Sequence, residues 1–169
     1  MIRARGLVGE RNRDEAPRAS RQQCVEPPTG QVDPENWRSS QDGPASEKLT
    51  ESNKDFRRVL YTGKYLQLVL MALKPGEEIG EETHTDRDQF FRVEEGEGEV
   101  HIDGTRKKIK IDDAILVPAD ARHNVINTGD KSLKLYTIYG PPEHQDRLVR
   151  KTKAEAEASK EHFDGKTTE

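Results

Sequence analysis

The sequence has few of the residues that stabilise secreted or membrane proteins. Its 169 residues include one cysteine, Cys24, so the chain cannot form an internal disulfide. A single thiol suits a reducing compartment, and we expect a cytoplasmic protein. The most hydrophobic stretch, residues 65–73, is far shorter than the roughly 20 apolar residues that cross a bilayer. The sequence therefore predicts no membrane span.

Apolar residues are scarce overall and are distributed unevenly. Only 31% of the chain is hydrophobic, which is low for a chain that is packed throughout. The first 53 residues are rich in Arg, Glu, Gln, Ser and Pro, and they show neither a helical nor a strand period. We expect residues 1–53 to be a disordered extension, which either tethers the domain or has no role. The core is expected after residue 56.

The chain has no large net charge of either sign. The net charge is -4 at neutral pH, so no overall field attracts nucleic acid or an anionic membrane, and neither is expected as a partner. Several arginines lie near the N-terminus, but Glu10, Asp14 and Glu15 interrupt them and no apolar segment follows. A secretory signal is not predicted, and an organelle transit peptide is the weaker alternative.

Short runs of β-type residues separated by turns follow from residue 56 onwards. Asp103 and Gly104 lie between two such runs, and this pair favours the positive φ angles of a tight hairpin. Many short strands with no helix between them predict an all-β antiparallel sandwich or barrel. The predicted strands are residues 56–61, 65–73, 89–93, 98–102, 105–111, 114–117, 124–127 and 133–139.

The second of these strands and the C-terminal tail need separate treatment. Residues 65–73 have almost no polar position, so both faces of this strand are expected to be covered, one by the core and one by another layer or subunit. A homodimer would supply the second cover. Residues 143–169 are predicted to be a tail, with a short exposed helix or frayed segment over 151–162 that carries no site chemistry.

Four histidines are considered as candidate site residues because of their positions along the predicted strands. His84 and His123 lie in turn-rich segments at the ends of predicted strands. His101 alternates with Glu99 along its strand, which predicts a solvated position. His144 follows two prolines and is expected to be exposed, with a role as a lid over the barrel mouth as the alternative.

The segment around His84 is rich in groups that bind metals. If Glu82 and His84 lie two residues apart on one extended segment, their side chains point to the same face. Gln89, on the returning strand, could point there as well, and His123 would arrive from a separate hairpin.

At this point the spacing resembles the paired motifs of the cupin superfamily. The first motif is matched at Gly76, Glu82, His84, Gln89 and Gly96, with Glu82 in place of a histidine and Gln89 in place of a glutamate. The second motif is matched at Asp112, Pro118, Asp120, His123 and Asn127, with aspartates in place of both glycines. Of these residues, Gly76, Gly96, Pro118 and Asn127 are expected to be structural.

The resemblance implies a fold and a ligand set. It implies an antiparallel double-stranded β-helix, the jelly-roll barrel of the cupins, over residues 54–142. It also implies one divalent metal ion, Fe, Mn, Ni, Co or Zn, bound by Glu82, His84, Gln89 and His123, which together form a mixed nitrogen and oxygen shell. Glu82 could alternatively be a free general base.

Two classes of function follow from this resemblance. The first is a metal-dependent enzyme acting on a small polar metabolite, either an isomerase of sugars or sugar phosphates or an oxygenase. The second is a non-catalytic barrel that binds or senses a small ligand, and a storage or scaffold role is a third alternative. The fold alone does not choose between them.

Overall fold

The computed structural model describes residues 46–159 and 161–169. Two short helices, α1 (Ser46–Ser52) and α2 (Lys153–Ala158), flank a set of strands. The strands are β1 (Arg57–Thr62), β2 (Gln67–Leu73), β3 (Asp88–Glu95), β4 (Glu97–Ile102), β5 (Thr105–Lys110), β6 (Ala114–Val117), β7 (His123–Ile126), β8 (Leu133–Gly140) and β9 (Val149–Arg150). Each predicted strand is present with its ends shifted by two residues at most, and β9 is additional.

The strands form two antiparallel sheets. The larger sheet has the order β6-β3-β8-β2-β1-β9, and the smaller one has the order β5-β4-β7. Side chains from both sheets share one core, in which Phe91 and Leu135 come from the larger sheet and Val125 comes from the smaller. The predicted all-β barrel of the double-stranded β-helix type is therefore confirmed.

Local sequence explains why these strands form and where they turn. In β8 every second side chain is buried, which is the two-residue period of a strand with one face on the core. Asp103 and Gly104 have φ angles of 46° and 81°, as the predicted hairpin between β4 and β5 requires. Gly96 has a φ of 86°, and a Cβ there would lie 2.6 Å from the carbonyl oxygen of Ser132. Only glycine fits that turn.

Helix α1 covers part of the outer face of β2. Leu49 of this helix is buried against Leu60 and Leu70, and Leu68 and Tyr136 pack around them. The strand is thus covered on both faces, as expected, and part of the second cover comes from the same chain. The homodimer stays a prediction.

The assignment of residues 46–53 to the disordered extension is wrong, because they contain this helix and two of its residues, Leu49 and Thr50, are buried. The rest of the predicted extension, up to residue 45, lies outside the described residues.

The C-terminal tail returns to the barrel. Strand β9 pairs with β1, with Arg150 opposite Arg57. Helix α2 has no buried residue, although its Ala156 packs partly buried against the core. Beyond it, the Phe163 amide donates to the Glu143 carbonyl at 2.7 Å, and the Thr168 amide donates to the Thr62 carbonyl at 2.8 Å.

The expectation of an exposed His144 is also wrong. His144 is buried, since its ring packs edge-on against Tyr139 with 5.2 Å between the ring centroids.

In the described part of the chain, neither helix has the length or the apolar character to span a bilayer.

Candidate metal centre

Three predicted ligand residues meet inside the barrel. Glu82, His84 and His123 each offer one ligand atom, and these atoms lie within 4.8 Å of one another. Glu82 and His123 form an isolated antiparallel bridge, in which the amide of each donates to the carbonyl of the other at 2.9 Å. His84 follows Glu82 by two residues, so their side chains share one face, as predicted.

The imidazole of His84 faces the carboxylate of Glu82. Its Nε2 atom lies 3.4 Å from Oε2 of Glu82. That nitrogen is buried and has no hydrogen-bond partner among the described residues. The ring packs against His123, with 5.6 Å between centroids, and edge-on against Tyr139 at 5.7 Å. A buried nitrogen without a partner is an available ligand atom.

Each ring nitrogen of His123 faces one oxygen atom. Its Nδ1 lies 3.1 Å from the carbonyl oxygen of Ala121, and a ring protonated at Nδ1 donates to that oxygen. With Nδ1 protonated, the lone pair of the neutral ring is on Nε2 and is free for a metal ion; with Nε2 protonated, the ring donates to Oε1 of Gln89 instead. Burial lowers the pKa of His123, so the ring stays neutral at physiological pH. A neutral imidazole is the form that binds metal ions.

Gln89 completes the group from strand β3. The side chain is buried, and its Nε2 donates to Oγ1 of Thr137 at 3.0 Å. Its Oε1 lies 2.9 Å from Nε2 of His123. Two ligands at right angles on one ion, each with a bond of about 2.1 Å, lie about 3.0 Å apart. The structure thus brings all four predicted residues together, and their metal binding stays a prediction.

The carboxylate of Glu82 has a different neighbour for each oxygen. Oε2 faces His84, whereas Oε1 lies 3.6 Å from Nη2 of Arg57. Burial raises the pKa of Glu82, but His84 and Arg57 lower it by more, so the pKa lies below its usual value. Glu82 is therefore ionised and can offer Oε2 to a cation while Arg57 keeps Oε1.

Several residues around this group were not found from the sequence. Arg57 lies on β1, in no recognisable motif. Glu143 places Oε2 3.7 Å from Nδ1 of His84 and 2.5 Å from Nη1 of Arg87. Tyr139 is buried, and burial raises the pKa of its phenol, so the hydroxyl stays protonated. These contacts join residues that are distant in sequence, so no local sequence pattern predicts them.

His101 lies outside the group. It is on β4 of the smaller sheet, and its Nε2 lies 3.2 Å from Oε2 of Glu99 on the same strand face. This partly buried pair matches the expected role on a polar face. His101 therefore serves as a histidine control for experiments on the candidate centre.

The donor set fits a divalent transition metal. It comprises two imidazole nitrogens, an ionised carboxylate and an amide oxygen, all borderline or hard ligands. Nε2 of His84, which has no hydrogen-bond partner among the described residues, and Nε2 of His123 would both serve as ligand atoms for a bound ion. The set does not distinguish among the metals that such a shell accepts.

Comparison with known proteins identifies the family of the fold. The family described as Cupin domain matches residues 69–139. The crystal structure of BH2720 from Bacillus halodurans is 45% identical, with a TM-score of 0.69, and the match covers 70% of this chain and 95% of that one. The chain is a cupin. The matched residues of this cupin include Glu82, His84, Gln89 and His123.

Two curated relatives extend the comparison. The cupin is 45% identical over 120 residues to the protein YrkC of Bacillus subtilis (strain 168), and the alignment covers 68% of this chain and 64% of YrkC. It is 42% identical over 100 residues to protein L612 of Acanthamoeba polyphaga mimivirus, covering 56% of this chain and 62% of L612. The cupin thus spans somewhat less than two thirds of these relatives.

Proposed function

We propose that this cupin is a metal-dependent enzyme that acts on a small polar metabolite. The divalent ion would be bound by Glu82, His84, Gln89 and His123. The observation that carries the proposal is the convergence of one carboxylate and two imidazoles, whose ligand atoms lie within 4.8 Å of one another. Fe, Mn, Ni, Co and Zn are all compatible with these ligands.

The reaction classes that suit this centre are isomerisation of a sugar or sugar phosphate and oxygenation. A bound divalent ion supplies Lewis-acid stabilisation of negative charge on a substrate oxygen. The chain's own groups contribute the rest. Glu82 is ionised and can accept a proton if it is not a ligand, and the buried Tyr139 keeps its phenolic proton as a hydrogen-bond donor.

A non-catalytic barrel that binds a small ligand is the second candidate. The contact between Arg57 and Glu82 favours it, because a guanidinium 3.6 Å from the carboxylate already compensates the buried negative charge. In that case the group would need no metal to remain folded. Metal content therefore separates the two candidates.

The test is elemental analysis of protein purified without chelator and without nickel affinity resin. His84→Ala and His123→Ala remove ligands, and His101→Ala removes a histidine that lies outside the centre. We expect about one equivalent of metal in the wild type and in His101→Ala, and a loss in both ligand variants. No metal in any sample after reloading with Fe, Mn, Ni, Co or Zn would support the binding barrel.

A further inference from the structure

A second buried cluster of charged groups lies beside the metal centre. Glu161, in the returning tail, is surrounded by Arg57 on β1, Arg150 on β9 and His144 in the segment after β8. The side chains of Glu161 and His144 are each 6% exposed and that of Arg57 is 10% exposed. Burial of a carboxylate among three basic side chains is the composition of an anion-binding site.

The three basic residues hold the Glu161 carboxylate loosely. Its Oε1 lies 3.9 Å from Nη1 of Arg57 and 3.6 Å from Nδ1 of His144. Its Oε2 lies 3.6 Å from Nη2 of Arg150. All three distances exceed the roughly 2.7–2.9 Å of a charge-assisted hydrogen bond. The internal carboxylate therefore occupies the site without making its strongest contacts.

Unused donors remain around that carboxylate. Nε of Arg57 and Nε of Arg150 are buried donors without a hydrogen-bond partner among the described residues, and neither ring nitrogen of His144, one of which carries a proton in the neutral ring, has such a partner. Both carboxylate oxygens of Glu161 are in the same condition. Buried donors without acceptors are costly, and a free oxyanion could approach them more closely than a side chain tethered to the backbone.

Arg57 connects this cluster with the metal centre. Its Nη2 faces Oε1 of Glu82 and its Nη1 faces Oε1 of Glu161. A carboxylate at the position of Glu161 is thus separated from a candidate metal ligand by one guanidinium. A small molecule with its carboxylate there could extend towards the metal centre.

We propose that Arg57, His144 and Arg150 form a carboxylate-binding site in which Glu161 is an internal occupant that a ligand carboxylate replaces. The site accepts small organic acids. The identification of such an acid as the substrate rests on the proposed function, whereas the binding site itself does not.

Chemical rescue tests the site. Glu161→Ala removes two carbons and two oxygens, which is the size of acetate. We expect acetate to raise the Tm of this variant, by about 3 °C at a tenfold excess over its Kd and further with the logarithm of its concentration, relative to chloride at equal ionic strength. Glu157→Ala, which removes an exposed carboxylate on α2, is the matched control and should not respond. Adding Arg150→Met to Glu161→Ala should abolish the response.

The absence of this Tm increase in Glu161→Ala would overturn the site, as would an equal increase in Glu157→Ala or persistence of the increase with Arg150→Met. Displacement is tested in the wild type, where acetate should speed amide hydrogen exchange at Phe163 and Thr168. Unchanged exchange there would overturn the replacement of Glu161.

Both measurements are made with metal-free and metal-loaded protein. Acetate rescue in a protein that never binds metal would leave the carboxylate site intact and contradict the proposed enzyme function. Metal binding without acetate rescue would contradict the carboxylate site and leave the proposed enzyme function intact.

Discussion

The Nε2 atom of His123 lies 2.9 Å from the Oε1 atom of Gln89. The two atoms come from different sheets, since β7 belongs to the smaller sheet and β3 to the larger. The Ala121 carbonyl oxygen lies 3.1 Å from the other ring nitrogen of His123, and Oγ1 of Thr137 accepts from the amide of Gln89. Both atoms are therefore oriented into the centre by partners outside it, as supporting groups around a metal site do.

Replacing Gln89 by Glu should strengthen metal binding. A carboxylate brings a negative charge to the position of a neutral amide oxygen, and we expect the Kd for Mn(II) or Zn(II) to fall by roughly tenfold, the scale on which groups near a site tune affinity. Competition with a chromophoric chelator measures this change. Gln145→Glu, at an exposed position, is the control for added charge. An unchanged or higher Kd in Gln89→Glu would contradict a ligand role for Gln89.

The strands were predictable because their signals are local. The alternating burial of β8 and the Asp103-Gly104 turn are both encoded within a few consecutive residues. Glu82 and His84 were placed on one face for the same reason, since two-residue spacing on an extended chain is a local property. The cupin motif spacing then brought His123 into the same prediction.

Helix α1 and the tail were not predictable, because their stabilisation is tertiary. Helix α1 has seven residues, too few to form a stable helix alone, and it is held by the contact of its Leu49 with Leu60 and Leu70 of the barrel. Glu161 is a single polar residue in a polar segment, and its burial depends on Arg57, more than 100 residues away. His144 followed two prolines and looked exposed, although Tyr139 covers it.

Removing the core contact of helix α1 should destabilise the protein. Leu49→Ala deletes a buried side chain that packs on Leu60 and Leu70, so we expect a loss of about 2 kcal/mol in the free energy of unfolding. Urea denaturation measures it. Leu116→Ala is the matched control, because Leu116 is 74% exposed and its truncation should change stability by less than about 0.5 kcal/mol. A loss in the free energy of unfolding that is no larger in Leu49→Ala than in Leu116→Ala would contradict a stabilising contact between α1 and the barrel.

The buried His144 should make stability depend on pH in a defined direction. Burial lowers its pKa below the model-compound value of 6.5, so the unfolded chain binds a proton more readily than the folded one. The contribution of neutral His144 is complete above pH 6.5 and is lost as the pH falls through the folded pKa.

The measurement is urea denaturation of metal-free protein between pH 8 and pH 5. The slope due to His144 should reach at most about 1.4 kcal/mol per pH unit. His123, which is buried and neutral for the same reason, adds to the slope of the wild type. His144→Asn should therefore show a shallower slope than the wild type. Identical slopes would contradict the burial of a neutral His144.

The most direct test of the metal centre is a crystal structure of the metal-loaded cupin with anomalous diffraction data at the absorption edge of the metal that elemental analysis identifies. We expect one anomalous peak, about 2.0–2.3 Å from Oε2 of Glu82, Nε2 of His84 and Nε2 of His123. Gln89 should contribute Oε1 to the same ion. A peak elsewhere in the molecule, or none at saturating metal, would contradict the account.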